Sequence, residues 1–228
     1  RRFYDDSAQW SLLGRMVYDL RGAVDLLAEG RGEAAAPLPP VDAKRIYTLG
    51  YAMGGMLALY GTALDERIAG AASFCGFTPL RADTADKPTG GVRRLWQWHA
   101  LVPRLGLFQG REGDIPYDYD DVLRLIAPRP CLIVSPTRDR QADCNEVVAC
   151  VEHAREAWRA EVASSLLTHL VPDGTNRFEL EQHETFLHWF ENLPAPDGEA
   201  DDGKIQDEAT QTDPAPQDQT LEEDGTMP

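Results

Sequence analysis

No stretch of the 228 residues runs apolar for the roughly 18 positions that a membrane-crossing helix needs, so no membrane span is expected. Positive charge is scarce: 22 Lys and Arg stand against 38 Asp and Glu, a net charge of −16. A chain this acidic repels phosphate backbones, which argues against nucleic acid as a partner. Cysteine is sparse too. Cys75, Cys131, Cys144 and Cys150 show neither the C-x-x-C spacing of a zinc site nor the density of a disulfide scaffold, and they read as small buried hydrophobes. Cys144 and Cys150 fall on different faces of an expected helix, which argues against a bridge between them. Among the five histidines no pair has zinc-ligand spacing, so neither a metal nor a cofactor is expected. An apolar leader is missing as well: the sequence opens on Arg1-Arg2-Phe3, which reads as a processed chain or a piece of a longer one. A soluble domain is expected, its compartment open between the cytoplasm and export with a signal lost upstream.

The acidity is unevenly placed. From Pro194 onward eleven Asp and Glu face one Lys, which is −10 of the −16 and leaves −6 for the rest. That tail, residues 194–228, has almost no large apolar side chains to offset the entropy of ordering, so it is expected to be a disordered acidic tail behind a domain at 1–193. Within the domain, 43% hydrophobic composition supplies one ordinary core. Trp10, Leu13, Val17, Leu20, Val24 and Leu27 recur at helical spacing and predict a helix over 7–28, closed by a Gly-, Ala- and Pro-rich linker at 30–40. Short apolar runs at 46–49, 68–76, 131–135 and 165–171 alternate with helical patterns at 54–64, 117–127, 145–160 and 180–193. Strands alternating with long helices predict an α/β fold with a mostly parallel sheet and helices on both faces. Residues 77–121 break the rhythm and read as an insertion or lid.

In such a sheet, functional groups gather where the strands end at their carboxyl side. The first of these ends reads "LGYAMGGMLALYG", a strand, a glycine turn and a helix. Gly54 is expected to let the helix pack closely. The tip residue sits above a helix N-terminus, where backbone N–H groups and the dipole would activate a nucleophile. That residue is Ala52.

The run "LGYAMGGMLALYGTALDERIAGAASFCGF" resembles the G-x-S-x-G nucleophile elbow and following strand of the α/β-hydrolase superfamily, and looks most like dienelactone-hydrolase-like and acetyl-xylan-esterase-like members. The resemblance follows the element order over 10–193. It implies that the first strands and helix of the usual sheet are missing from this chain, with the loop that supplies half of the oxyanion hole. It also implies a role for each strand end. Ala52 stands at the nucleophile position, the Met53 backbone N–H at the oxyanion site and Asp139 at the acid, with Asp143 as a weaker second. Asn176, in "DGTNRF", stands where the histidine usually does. Alanine has no oxygen to attack a carbonyl, and an amide does not accept a proton near neutral pH, so neither nucleophile nor base is present.

Other residues carry competing readings. His183 is the alternative base, against a surface helix residue. Trp96, Trp98 and His99 line a lid or pocket mouth, against packing within the insertion. Cys75 is an alternative nucleophile, against a buried core thiol. The Asp118-Tyr119-Asp120-Asp121 cluster invites calcium, against a helix N-terminus that carboxylates favour. His153 reads as a solvated helix residue, and His169 and His188 as structural.

The sequence thus predicts an esterase-like scaffold with a degenerate triad, weak or inactive as a serine hydrolase, that binds a small ester or carbohydrate. An active serine ester hydrolase, carboxylesterase- or acetyl-xylan-esterase-like, is the alternative if Ala52 is an engineered substitution. A non-catalytic interaction module of a longer chain is the third.

Overall fold

The computed structural model describes residues 2–29 and 39–194; the acidic tail and most of the 30–40 linker lie outside the described residues. Two N-terminal helices, α1 (Arg2–Asp6) and α2 (Leu12–Glu29), lead into strand β1 (Tyr47–Tyr51) and helix α3 (Met53–Leu64). Next come β2 (Gly70–Phe74), the insertion, α4 (Tyr119–Arg124), β3 (Cys131–Val134), α5 (Cys144–Ala160), β4 (Leu167–Leu170) and α6 (Leu180–Glu191). The four strands are all parallel, in the order β1-β2-β3-β4.

The two faces of the sheet are covered by different elements. Because side chains alternate along a strand, Ala71, Cys131, Ile133 and Leu167 point to one face, where α3 and α5 bring Met56, Leu59, Val147, Val151 and Trp158 against them. Ala72, Phe74, Leu132 and Val134 point to the other and meet Phe178, Phe186 and Trp189 on and before α6. Burial of each large side chain here contributes about 1.5–3 kcal/mol. Trp158 is fully buried and spends its one polar hydrogen on the Arg129 carbonyl at 3.1 Å.

The first helical pattern is shorter than its periodicity suggests. Ser11 Oγ accepts from the Gly14 N–H at 2.9 Å and caps α2, which therefore begins at Leu12. Trp10 is left outside the helix, 49% exposed and edge-on to Tyr18. The insertion forms a π-helical turn at Arg94–Trp98 and a 3-10 helix at Pro103–Phe108. The Asp118 cluster is fully spent in structure: Asp118 caps α4 in a capping box with Asp121, and its carboxylate also accepts from the N–H groups of Leu80 and Arg81.

Strand register brings Ile133 opposite His169, and two residues on, on the same face, Ser135 Oγ meets His169 Nε2 at 2.6 Å. Burial pulls this imidazole down to about 4, with the Arg155 guanidinium adding to the effect and Glu152 opposing it. Between that value and the ordinary histidine pKa near 6.5, the unfolded chain binds the proton that the folded one refuses. Stability from this group is therefore complete above about pH 6.5 and is lost as pH falls toward 4. Allowing for partial solvent exposure, the loss is about 2 kcal/mol. Urea unfolding at pH 7 and pH 4.5 is expected to show it, and His169→Phe to reduce the difference.

Candidate functional site

The elbow is built by glycines placed where a side chain cannot fit. A Cβ on Gly50 would stand 2.0 Å from the Gly54 carbonyl oxygen, and one on Gly55 would stand 2.8 Å from Ser73 Oγ and 3.0 Å from the Gly50 oxygen. Gly54 meets nothing within 4 Å, so the close approach of α3 to the sheet depends on Gly55, not on Gly54 as its place in the motif suggested. Ser73 Oγ lies buried beneath this turn with no hydrogen-bond partner.

Ala52 lies at the reversal with φ 50° and ψ −116°, a left-handed conformation that costs a non-glycine residue about 1–3 kcal/mol. Its N–H donates to the Phe74 carbonyl at 2.8 Å, which ties the reversal to β2, and its carbonyl accepts from the Met56 N–H at 3.1 Å. Met53 opens α3, so its N–H belongs to the first turn, where helix donors have no intrahelical acceptor.

Asp139 follows β3 and is 8% exposed. One carboxylate oxygen accepts from the Gln141 N–H at 2.8 Å. Burial pushes its pKa above the ordinary aspartate value, while that N–H and the Arg94 guanidinium pull the other way. Asp143 is engaged elsewhere, capping α5 through the Glu146 N–H and pairing with Lys87 at 2.6 Å. Since burial penalises the Asp139 anion, Asp139→Asn is expected to raise thermal stability by about 0.5–1 kcal/mol at pH 7, the trade-off common at functional positions. An unchanged or lowered melting temperature would contradict this.

Asn176 lies in the loop after β4, and its backbone carbonyl accepts from the Tyr51 hydroxyl at 2.6 Å. Phe178 stacks on Tyr51 at 5.6 Å and meets Phe74 edge-on, so the loop is fastened to the strand that carries the elbow. His183, exposed on α6, packs its ring on Phe178 at 4.5 Å.

Cys75, in a left-handed conformation at φ 53°, lines a cavity of about 240 Å³ with Phe74, Val134, Pro136, Arg138 and Arg177. Burial drives its thiol up to about 12, with Asp139 adding to the effect, so the thiolate is scarce at neutral pH. In the insertion, Trp96 lies against Gly106, where a Cβ would come within 2.9 Å of the ring, whereas Trp98 and His99 are exposed. His153 pairs with Asp120 at 2.8 Å, and His188 is an exposed residue of α6. Among the described residues no group of three His, Cys, Asp or Glu is placed to hold a metal ion, and no helix is long and apolar enough to cross a membrane.

Arg94 was not foreseen from sequence. It is 5% exposed, donates to the Gly76 carbonyl and to Gln141 Oε1, and exerts its charge on Tyr51, Cys75 and Asp139 together. It arises in a π-helical turn with no regular apolar period to mark it. Three larger cavities, of about 610 Å³ between β4 and α6, about 530 Å³ beside α5 and about 300 Å³ beside Trp10 and Pro103, are lined by none of the elbow residues.

No known protein family's profile matches the chain. A carbohydrate esterase from an unknown prokaryotic organism is 27% identical over 156 residues, which is 68% of this chain and 34% of that protein. Among solved structures, a promiscuous esterase of carbohydrate esterase family 15 from a marine bacterial metagenome superposes with a TM-score of 0.68 at 20% identity. It is matched over 80% of this chain and 48% of its own. A family 15 glucuronoyl esterase from Caldicellulosiruptor kristjansonii gives 0.64 at 19% identity, over 79% of this chain and 50% of its own. The fold is thus the α/β-hydrolase fold, in a form carried by carbohydrate esterases, and the chain spans about a third of its sequence relative and half of these structural neighbours. Dienelactone-hydrolase-like character has no support from these likenesses.

Proposed function

We propose that the chain is an esterase-derived α/β-hydrolase whose triad is disarmed, with Ala52 at the nucleophile position, Asp139 as the surviving acid and Asn176 at the place of the base. Its strand-end surface binds a small ester or carbohydrate ligand with little or no turnover. The observation that carries this reading is the backbone at Ala52: a strained, left-handed residue above a helix N-terminus, with a methyl group where chemistry would need an oxygen. The likeness to carbohydrate esterases supports the ligand class. The same strain favours the second reading, an active serine ester hydrolase in which alanine is an introduced substitution, because a left-handed non-glycine residue is most useful where its side chain must be presented.

Hydrolysis of p-nitrophenyl acetate and butyrate separates them. Background turnover by the unsubstituted chain, with recovery only when Ala52→Ser and Asn176→His are combined, supports the first. Recovery by Ala52→Ser alone supports the second. Brisk turnover by the unsubstituted chain overturns the assignment of position 52.

A further inference from the structure

We propose that Arg94 is a positioning residue for Asp139, acting partly through space and partly through Gln141 as a strut; this rests on the reading of Asp139 as the acid of the site. Arg94 is the one buried basic side chain among the described residues. Burying a charge is costly unless it is paired or well hydrogen-bonded. Yet its two acceptors, the Gly76 carbonyl at 3.2 Å and Gln141 Oε1 at 3.1 Å, are both neutral, and among the described residues it closes no ion pair. Its charge is held in reach of a carboxylate without being cancelled by direct contact.

Gln141 is bound from both sides. Its N–H donates to Asp139 Oδ1 at 2.8 Å, its side-chain oxygen accepts from Arg94, and its carbonyl accepts from the Gly90 N–H at 2.6 Å. Residues 90–94 of the insertion and 139–141 of the acid loop therefore form one hydrogen-bonded unit. Glycine is required at the joint, since a Cβ on Gly90 would stand 2.7 Å from the Gln141 carbonyl oxygen and 3.0 Å from Arg94 Nη2. The insertion thus acts as a clamp that orients the Asp139 carboxylate and supplies its counter-charge from a fixed distance.

The other titratable groups that sense Asp139 are Cys75 and Tyr51. Both are pushed upward and stay neutral at pH 7, so neither can replace the cation. Without Arg94, burial would act on the Asp139 carboxyl with only the Gln141 N–H opposing it, and its titration would move to higher pH.

The test is a ¹³C side-chain titration of the full chain labelled at aspartate, with the Asp139 resonance identified by its loss in Asp139→Asn. The midpoint is expected to move upward in Arg94→Met, to return toward the unsubstituted value in Arg94→Lys, and to move upward in Gln141→Leu. A midpoint unmoved in a folded Arg94→Met protein overturns the proposal, as does an equal shift in Arg94→Met and Arg94→Lys, which would mean packing rather than charge. Should Arg94→Met not fold, Gln141→Leu decides: its exposed side chain is dispensable to the core, and an unmoved midpoint there overturns the strut. In the Ala52→Ser, Asn176→His background, adding Arg94→Met is expected to lower kcat about tenfold with KM little changed, and to carry the acid limb of the pH profile upward. An inactive background refutes the esterase reading alone, because the carboxyl titration needs no turnover.

Discussion

Ala52→Ser combined with Asn176→His is expected to raise hydrolysis of p-nitrophenyl acetate roughly 10³-fold over the unsubstituted chain, with either change alone close to background. A nucleophile and its base act as a unit. A serine with no acceptor for its proton is a poor attacker, and a histidine with nothing to deprotonate contributes nothing. A complete triad is worth about 10⁶ in kcat, and the smaller gain expected here allows for imperfect placement of two new side chains. The scaffold gives the pair a fair chance. The elbow already presents residue 52 at φ 50°, and position 176 is held by its backbone carbonyl through Tyr51, so exchanging the Asn176 side chain leaves that anchor in place. Asp139 is buried and accepts from the Gln141 N–H, which suits the role of acid proposed for it. Recovery by the pair alone, read as kcat/KM against each single variant, would show that only two side chains separate this chain from an esterase. No recovery would place the base elsewhere, with His183 the next position to examine.

The parts legible in sequence were those with short-range physical signatures. Strand and helix order followed from the change in apolar period between segments, and the elbow from glycines clustered between an apolar strand and a small-residue helix. Of the two readings of the charge cluster at Asp118, the structure shows the helix start, the end of the dipole that carboxylates favour. What escaped depended on contacts between distant segments. Arg94 meets Gly76 and Gln141 across 18 and 47 residues, and Ser135 meets His169 only because strand register puts them side by side. The start of the first helical pattern is displaced from its periodicity because Trp10 falls in phase with the buried stripe, whereas the Ser11 cap sets where the helix begins. The glycines of the elbow were recognised as a group, but their separate duties were not: which one faces backbone and which faces open space depends on how closely α3 approaches β2.

That division of duties leads to the other large expected effect. Gly50→Ala should cost more than about 4 kcal/mol, enough to lower the melting temperature by about 10 °C or to leave no folded protein. The added methyl would meet the Gly54 carbonyl oxygen at 2.0 Å, the Gly54 carbonyl carbon at 2.1 Å and the Gly55 nitrogen at 2.5 Å, all backbone atoms that no rotamer change can move aside. Relief would require pushing the start of α3 away from β1. That would break the Ala52 N–H bond to Phe74 and the contact of Gly55 with Ser73. Gly54→Ala, four residues along, is the matched control: nothing lies within 4 Å, and alanine in a helix is favoured over glycine by up to about 1 kcal/mol, so stability should hold or rise. Thermal unfolding of the two variants beside the unsubstituted chain is sufficient, and equal melting temperatures would refute this account of the turn. If the contrast appears, the elbow is fixed by Gly50 whatever residue stands at its tip. A tip residue can then lose its oxygen while the strained backbone beneath it is kept in place by the packing of α3 on the sheet.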